Sequence, residues 1–422
     1  MTARGPLCQP TDLGGTHPGE DVETRVLAKL RGHTLRVPDP LPLYASVPFR
    51  FNRHYPRLGR KVDEILAGLE LNPKSLRKAK IIDVAYLTCA QFPLADWDAL
   101  LVFAHYTIWI FLWDDETDQE LSSRRPSGTQ ADNPTSATAA AAPTIATDMN
   151  LGDVYRAHSL IYIGHQLGLH DADDDGQGRC DCRDVLGTDA EGQLVPPTSV
   201  SGVFAFVGPQ LRARCDGGEI GRFWEQIRKY MAATAVEQEI RLGGRFPSFD
   251  EFFRMRCHSV GVLVHTSLAV MRFGCAATVS MSNLDESIQE QLNIMQDGIN
   301  QNLSVMNDIF SLKKELSEGT LLSLIPLAVA ESDISGQQGV VAAMAGVVAQ
   351  FEETTRAVVK AGAAVRHEIQ SQKQPPGHAE SAEAYTSCLE LLLHGSVNWT
   401  LKTERYGVGE FMQDDGSLAI VL

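Results

Sequence analysis

The sequence predicts an all-α fold, because apolar residues recur at helical spacing while alternation with a period of two is absent over any useful length. One such apolar row lies near the N-terminus, and we expect Pro73 to end that element. The row consists of Leu58, Val62, Ile65, Leu66 and Leu69. Steps of three and four residues put these side chains on one face of a helix, so the element has one buried side.

Two capping patterns support the helical assignment further along the chain. Ser248 is followed three residues later by Glu251, and Asn283 is followed in the same way by Glu286. A short polar side chain with Glu at the third helical position is typical of a helix start. We expect these two patterns to open the helices that carry Arg256 and Asn307.

Length and composition indicate one large globular domain. The chain has 422 residues, of which 44% are hydrophobic and 7% aromatic, enough for a sizeable buried core. Its 37 Lys and Arg against 53 Asp and Glu give a net charge of −16. This balance argues against nucleic acid or an anionic membrane as a partner. An anionic substrate would need metal ions and a few well-placed basic residues.

The sequence also predicts a cytoplasmic location. Residues 1–10 lack the apolar core of a secretory signal. The longest apolar stretch, Ala99 to Trp113, is interrupted by polar side chains and is too short to span a bilayer. The eight cysteines are irregularly spaced, which is typical of free thiols in a reducing compartment.

We divide the chain into an N-terminal segment (1–34) that we expect to be partly disordered, a domain (35–412) and a tail (413–422). Residues 120–150 are rich in Ala, Ser, Thr and Pro and predict a disordered surface insertion. Residues 170–201 are acidic and glycine-rich, and predict a second, loop-like insertion.

Neither metal-like pattern in the second insertion fits a known site. Asp171 to Gly176 imitates the start of a calcium-binding loop, but Cys182 stands where a bidentate Glu is required. Cys180 and Cys182 lack the spacing of a zinc site.

Three oxygen-bearing side chains are expected on one helix face late in the chain. Asn307, Ser311 and Glu315 lie four residues apart within the segment NDIFSLKKE. Each step of four turns an α-helix by roughly 400°, so the three side chains fall within a stripe about 80° wide. An amide, a hydroxyl and a carboxylate are hard ligands suited to magnesium.

A second acidic motif, DDETD, lies upstream at residues 114–118. Asp114 directly follows an apolar run that should be buried, and Asp118 shares its helix face. Asp115 points about 100° away from Asp114 and is expected to support a ligand by hydrogen bonding. Two facing helices could therefore hold metal between them.

These motifs resemble those of class I terpene synthases. DDETD resembles the aspartate-rich motif of that family, and NDIFSLKKE fits its second metal motif at every specified position. Residues 256–261, RCHSVG, look like the segment that carries the diphosphate-sensing arginine, and Arg405–Tyr406 look like the RY pair of fungal and bacterial members. The resemblance runs from about residue 35 to 410. It implies a single-domain α-helical bundle that encloses an active-site cavity.

The resemblance also implies the ligands of the metal and of the diphosphate. Three Mg²⁺ ions would be held by Asp114, Asp118, Asn307, Ser311 and Glu315, with Asp118 left open as a direct ligand. The diphosphate would be bound by Arg256, Lys314, Arg405 and Tyr406. Arg254 and Lys313 are the nearby alternatives, but the family pattern selects Arg256 and Lys314.

Further residues take catalytic roles on the same basis. Ser259 and Val260 resemble the helix break that links the sensing arginine to a carbonyl aimed at the nascent cation. Phe111 lies one turn before Asp114 on the same face and is the first candidate to line an apolar cavity. Trp399 is the second. Aromatic faces there would stabilise cationic intermediates.

The expected function is magnesium-dependent cyclisation of farnesyl diphosphate to a sesquiterpene hydrocarbon or alcohol. The expected partner is this small-molecule isoprenoid diphosphate, and the protein is expected to be a monomer or homodimer. A cyclase of geranyl or geranylgeranyl diphosphate would share every motif. A chain-elongating prenyltransferase is disfavoured, because it would have a second aspartate-rich motif in place of NDIFSLKKE. From another class, a non-catalytic helical protein could bind metal through Asp171 to Asp175, but it would leave Arg256 and Arg405 unexplained.

Overall fold

Helices account for nearly all regular structure in the computed structural model, which describes residues 19–47, 49–118, 143–169, 182–332, 337–371 and 374–422. The helices of this part of the chain are α1 (Gly19–Leu30), α2 (Tyr55–Ala67), α3 (Pro73–Ile81), α4 (Val84–Gln91), α5 (Trp97–Asp118), α6 (Met149–Gln166), α7 (Cys182–Leu186), α8 (Phe204–Arg214), α9 (Gly217–Gly243), α10 (Phe249–Ser259), α11 (Val262–Ala269), α12 (Arg272–Cys275), α13 (Glu286–Glu318), α14 (Leu324–Glu331), α15 (Gln337–Ser371) and α16 (His378–Lys402). Short 3-10 turns occur at Leu41–Tyr44, Ser201–Val203, Met281–Asn283 and Val408–Phe411.

Helix α5 is apolar on nearly every side until it reaches the acidic motif. Trp109 and Trp113 are fully buried, and the burial continues around the helix through Phe103 and Tyr106. A helix that is hydrophobic all round belongs in the interior of a large protein. Asp114 follows this buried part of α5 and lies in the wall of a cavity.

The long helix α13 packs most extensively against α15, and it also contacts α16. It buries an apolar residue at nearly every turn, including Leu292, Met295 and Ile299. Asn302 is buried in the contact with α15, where its Nδ2 donates to the Phe351 carbonyl at 2.9 Å. This packing fixes the helix that presents Asn307, Ser311 and Glu315.

The two ends of the described chain meet in a small antiparallel sheet that the sequence pattern does not predict. Strand β1 (Thr34–Val37) pairs with β2 (Leu418–Val421), with Thr34 opposite Val421 and Val37 opposite Leu418. Helix α1 lies inside the segment 1–34, and β2 lies inside the tail 413–422. The boundaries at 34 and 412 therefore do not separate this structure into independent parts.

Two element boundaries differ from the sequence prediction. Helix α2 ends at Ala67, and Pro73 opens α3 instead of stopping α2. Pro is well suited to the first helical turn, where its missing N–H has no intrahelical partner, and Asn72 caps the helix by accepting from Ser75 N. The segment Gly68 to Leu71 is thus a short connection.

Parts of both predicted insertions lie in described structure. Helix α6 begins at Met149, and residues 143–148 precede it, so residues 120–142 of the first insertion lie outside the described residues. In the second, 170–181 lie outside, whereas Val200 and Ser201 are fully buried. The calcium-like segment and Cys180 fall in the undescribed part.

Within the described ranges, none of the helices has the length and apolar character needed to cross a membrane. Six cysteines lie in those ranges and all are free thiols: Cys89, Cys182, Cys215, Cys257, Cys275 and Cys388.

Candidate active site

One cavity of about 1230 Å³ brings together the predicted site residues whose side chains the structure describes. Helices α4, α5, α9, α10, α11, α13 and α16 contribute to its wall. The predicted residues that line it are Phe111, Asp114, Arg256, Ser259, Val260, Asn307, Ser311, Lys314, Glu315, Trp399, Arg405 and Tyr406. Asp118 is the last residue of α5, and its side chain lies outside the described part, so its role stays a prediction.

Asn307, Ser311 and Glu315 share the cavity-facing side of α13, as the spacing predicts. Ser311 Oγ donates to Glu315 Oε1 at 2.6 Å, and Asn307 Nδ2 donates to the Tyr406 hydroxyl at 2.8 Å. Glu315 Oε2 is buried and has no partner among the described residues. Burial, reinforced by the nearby charge of Asp308, raises the pKa of Glu315 to about 7.

These features fit a divalent cation. Asp114 on α5 and the three side chains on α13 are hard oxygen donors, and a cation would satisfy the unpartnered Glu315 oxygen. Within the described ranges, no three His, Cys, Asp or Glu side chains are arranged so that they alone could hold a metal ion. The amide and the hydroxyl of Asn307 and Ser311 complete this donor set instead.

The carboxylates at the start of DDETD face different partners. Asp114 Oδ1 accepts a hydrogen bond from the Tyr230 hydroxyl at 3.1 Å, across the cavity wall from α9. Asp115 Oδ1 lies 3.9 Å from Arg405 Nη2. Asp115 thus forms an ion pair with a basic residue of the cavity wall, and the hydrogen bond expected from its direction on the helix stays a prediction.

Arg256 is held in a network of oxygen acceptors. Its Nε donates to Asp308 Oδ1 at 3.0 Å and its Nη2 donates to Asn307 Oδ1 at 2.7 Å, while Glu237 Oε1 lies 3.8 Å from Nη1. Burial alone would lower the pKa of Arg256, but the surrounding carboxylates, led by Asp308, raise it further above its ordinary value. The guanidinium is therefore a permanent cation inside the cavity.

The alternative basic residues point elsewhere. Arg254 is exposed, and its Nε donates to the Asp250 carbonyl within α10. Lys313 Nζ lies 4.2 Å from the centre of the Phe411 ring. By contrast, Lys314 lines the cavity and pairs with Glu318 at 3.2 Å.

Arg405 and Tyr406 follow α16 and enter the cavity beside the aromatic wall. The Arg405 guanidinium carbon lies 5.1 Å from the centre of the Phe111 ring, within cation–π range. Phe111 and Trp399 have ring centres 5.8 Å apart, and the Trp399 indole N–H is fixed by the Ile82 carbonyl at 2.6 Å. The two rings predicted to line the cavity are neighbours.

The helix break predicted around Ser259, Val260 and Gly261 is present. Helix α10 ends at Ser259 and α11 begins at Val262. Gly261 has a φ of 76°, and an added Cβ would lie 2.5 Å from Ile110 Cδ1. Val260 lies within this break and lines the cavity.

Four cavity-region residues were not assigned roles from the sequence. Tyr230, Glu237 and Arg241 lie at helical spacing on α9 and line the cavity. Asp308 is 1% exposed and joins Arg256 to the start of α14, because its Oδ2 accepts from Leu324 N at 2.9 Å. The motif NDIFSLKKE specifies Asp308 without giving its role, while α9 carries no motif that could have marked its three residues.

The sequence is similar to a family of terpene synthases and to two fungal terpene cyclases. The family described as "Terpene synthase family 2, C-terminal metal binding" matches residues 170–354. Sesquiterpene cyclase hepA of Aspergillus oryzae is 23% identical over 399 residues, covering 94% of this chain and 95% of that protein. Terpene cyclase braA of Annulohypoxylon truncatum is 23% identical over 334 residues, covering 75% of this chain and 74% of that protein.

Solved structures show the same fold. Hedycaryol synthase in complex with HEPES matches with a TM-score of 0.59 at 16% identity, covering 87% of this chain and 99% of that chain. Linalool/nerolidol synthase from Streptomyces clavuligerus matches with a TM-score of 0.58 at 14% identity, covering 84% of this chain and 98% of that chain. At these identities the likeness concerns the fold alone, and it confirms the predicted all-α class.

Proposed function

We propose that this chain, which is similar to terpene synthases in sequence and in fold, ionises and cyclises farnesyl diphosphate with magnesium to a sesquiterpene and releases diphosphate. The chain is an enzyme of terpene cyclisation, and its family carries a metal-binding domain. The choice of farnesyl diphosphate, of Mg²⁺ and of three ions is our proposal.

The observation that carries this proposal is the charge arrangement at one end of the cavity. Oxygen donors from α5 and α13 face the same space as the basic side chains of Arg256, Lys314 and Arg405. A diphosphate carries up to four negative charges in the leaving state, and neither metal nor basic residues alone would neutralise it well. The combination supports a site for an allylic diphosphate.

Bound between Asp114 and the α13 donors, divalent cations would neutralise the charge that the leaving diphosphate gains. Asn307 Oδ1 now accepts from Arg256 Nη2, and we propose that Arg256 exchanges this hydrogen bond for the diphosphate when Asn307 holds a cation. The freed edge of the guanidinium can then donate to diphosphate oxygens. Asp308 continues to hold Nε and keeps the guanidinium aimed into the cavity.

Once the substrate is ionised, the aromatic wall would face the cation. Phe111 and Trp399 line the cavity, and Phe111 lies beside Arg405; ring faces turned toward the cation would attract its positive charge. Arg405 beside Phe111 would keep the diphosphate paired and away from the ring. We propose that binding also excludes bulk water, which would otherwise quench the cation early.

Substrate length is the main alternative within this function. Geranyl and geranylgeranyl diphosphate would engage the same polar end, and a cavity of about 1230 Å³ does not select among them by itself. A chain-elongating prenyltransferase is disfavoured, because this chain has NDIFSLKKE where such an enzyme would have a second aspartate-rich motif. The non-catalytic metal protein is set aside, because the family is one of enzymes.

Incubation of the purified protein with each of the three diphosphates and Mg²⁺, followed by mass spectrometry of the products, tests the proposal. We expect cyclic products of fifteen carbons and release of diphosphate, with both abolished by a chelator. If only the ten- or twenty-carbon diphosphate is consumed, farnesyl diphosphate is not the substrate, and the consumed diphosphate takes its place. Absence of turnover with all three would refute the function itself.

Glu315→Gln tests the proposed metal ligand. Loss of the carboxylate charge should reduce turnover by about a hundredfold or more while the helical circular dichroism spectrum is kept. Glu290→Gln, an exposed change on the same helix, is the matched control and should act like the wild type. Normal turnover in Glu315→Gln would remove the metal assignment.

A further inference from the structure

Away from the diphosphate end, the cavity wall is unexpectedly polar. Gln91 on α4, Thr107 on α5, His265 on α11 and Ser396 on α16 all line it, and we call them the inner polar wall. Gln91 is 5% exposed, Thr107 1% and Ser396 3%. A wall that only shaped a hydrocarbon would need none of these groups.

A hydrogen bond and two ring contacts connect these residues or their neighbours in the chain. Gln91 Nε2 donates to Ser396 Oγ at 2.9 Å. The His265 ring centre lies 5.5 Å from that of Phe92, the neighbour of Gln91, and 5.4 Å from that of Tyr106, the neighbour of Thr107. His265 is therefore packed between the chain segments that carry the other polar side chains.

Three polar atoms of this wall lack a partner within the described structure: Gln91 Oε1, Thr107 Oγ1 and His265 Nε2. Buried polar atoms are rarely left unpaired, because their desolvation is not offset by a hydrogen bond. Several such atoms in one wall can be satisfied together by a small polar guest with two to four hydrogen-bonding positions, and water is such a guest.

His265 is suited to accept a proton from that guest. Burial lowers its pKa to about 4, and no charged side chain contributes to this shift, so the imidazole is neutral near pH 7. A neutral imidazole has one free lone pair and can act as an acceptor. Its described ring neighbours are Phe92 and Tyr106, and burial raises the pKa of the Tyr106 hydroxyl, so neither ring carries a charge near pH 7.

The inner polar wall is set back from the metal end. Thr107 lies seven residues before Asp114 on α5, which is two turns of helix or about 10 Å. Phe111 lies between them on the same face. A group at this depth meets the hydrocarbon part of the substrate and not its diphosphate.

We propose that the inner polar wall holds one water molecule that captures the final carbocation, so that the main product is a cyclic terpene alcohol. This inference rests on the proposed function. The water oxygen forms a C–O bond to the cationic carbon, and the proton it loses passes to His265 and later to solvent. Gln91 and Thr107 orient the water, and no oxidant or reductant is needed.

Turnover of farnesyl diphosphate in water enriched in ¹⁸O tests this directly. We expect a cyclic alcohol in which one ¹⁸O atom replaces the ¹⁶O atom of the product formed in ordinary water, and mass spectrometry detects this replacement. Products that are all hydrocarbons, or only acyclic alcohols, would overturn the inference and leave the proposed function standing. Absence of any turnover would overturn the proposed function, and this inference with it.

Isosteric variants test the residues. Thr107→Val removes only the hydroxyl, and Gln91→Leu removes the amide at similar size; each should lower the ratio of cyclic alcohol to hydrocarbon by about fivefold or more. Thr266→Val is the matched control, because Thr266 is buried on α11, bonds its own helix and does not line the cavity. If neither variant changes the ratio, or if Thr266→Val changes it equally, the wall does not hold the reacting water. The two independent variants guard against one failing to fold.

Discussion

Arg256 is a side chain that is ionised and held in position before an anionic diphosphate binds. Three acidic or amide groups, Asp308, Asn307 and Glu237, surround it and keep the guanidinium ionised within the cavity. Asp308 is also tied to a second element through Leu324 N, and Asn307 donates its Nδ2 to the Tyr406 hydroxyl. Asp308 is the more deeply buried of these two partners, so we propose that its bond to Arg256 is kept and that the bond to Asn307 is exchanged when substrate binds.

Arg256→Lys should lower the turnover efficiency by about ten- to a hundredfold, or roughly 1.5–3 kcal/mol of transition-state stabilisation. Lysine keeps the charge but loses the planar fork that can hold Asp308 and the diphosphate at once. Steady-state kinetics measures the loss. A looser diphosphate should also raise the share of acyclic products, which product analysis detects.

Arg254→Lys is the matched control for that variant. Arg254 is exposed on the same helix and bonds only a carbonyl of its own turn among the contacts described, so its replacement should leave kinetics and products unchanged. A crippled Arg254→Lys beside a normal Arg256→Lys would mean that the sensor segment is shifted by two residues. The roles proposed for Ser259 and Val260 would then be wrong as well.

Glu116 has a different role from its acidic neighbours. Its carboxylate accepts hydrogen bonds from the Tyr155 hydroxyl and, at 3.2 Å, from Thr198 Oγ1. Burial raises its pKa from 4.5 to about 7. Glu116 thus links α5 to α6 and to the segment before Ser201, away from the diphosphate site.

This shift gives a pH-dependent stability with a definite sign. A folded-state pKa above the unfolded one means that protonated Glu116 stabilises the fold fully below about pH 4.5, and that this contribution is lost as the pH rises through about 7. Glu116→Gln keeps an acceptor and cannot ionise. It should match the wild type near pH 5 and exceed it by about 1–3 kcal/mol at pH 8. Urea unfolding at the two pH values measures this, and an equal difference at both would contradict it.

At the residue scale, sequence reasoning succeeded where side chains form a compact motif. Asn307, Ser311 and Glu315 needed only helical geometry to be placed together. Tyr230 and Glu237 could not be found in this way, because their closeness to Asp114 and Arg256 depends on how α9 packs against α5 and α10. Such contacts join residues separated by many turns of chain.

At the scale of elements, the break between α10 and α11 determines the shape of the cavity. Gly261 takes a left-handed conformation that glycine adopts without strain, and Ile110 of α5 packs against it with no room for a side chain. The chain can therefore turn sharply after Ser259 and still keep α11 close to α5. The contact between Gly261 and Ile110 therefore positions both the break after Ser259 and the part of the apolar wall that α5 contributes.

Gly261→Ala should destabilise the protein by about 1–3 kcal/mol, from the strained φ and from displacement of Ile110. Because Ile110 lines the cavity, the product mixture should change as well. Thermal unfolding and product analysis provide the two measurements. Gly346→Ala is the control, because an added Cβ there meets nothing within 4 Å, and the change should be neutral or stabilising. A similar loss of stability in Gly346→Ala would show that the strained φ and the contact with Ile110 are not the cause of the loss in Gly261→Ala.

Helix starts were predicted well where the cap is local. Ser248 accepts from Glu251 N at 3.2 Å, as its pattern indicates. The second pattern is offset by two residues, since α13 begins at Glu286 after Asp285, and Asn283 ends a 3-10 turn instead. Leu284 is 4% exposed, and its burial in the core places it in extended backbone between the two elements. Tertiary packing here overrides a local capping preference.

At the scale of the whole molecule, the sequence could not reveal how the chain ends meet. The β1–β2 pair joins Thr34 to Val421, and neither strand is long enough to show a period-two pattern. The cavity is likewise a property of the assembled bundle. Motifs identify its polar end, but the inner polar wall combines residues from four helices that share no sequence signal.

The first insertion provides a test of how far the folded part of the molecule extends. Composition predicts that residues 120–150 add little to the core. Residues 143–148 differ, because the Ile145 carbonyl accepts from Gln238 Nε2 at 2.8 Å and the Ala146 carbonyl accepts from Arg241 Nη2 at 3.3 Å. Both donors belong to α9, so these residues anchor the start of α6 to the wall of the active site.

Replacing Ser122 to Ala140 with a short Gly/Ser linker should therefore change the melting temperature little and preserve activity, because loop-closure entropy varies slowly with length. Extending the replacement to Thr147 should lower stability by about 2–4 kcal/mol and reduce turnover, since Gln238 and Arg241 lose buried acceptors. Calorimetry and a turnover assay on both variants decide the matter. A large loss in the shorter replacement would show that the insertion itself stabilises the fold, whereas equal behaviour of the two would mean that Ile145 and Ala146 do not anchor α9.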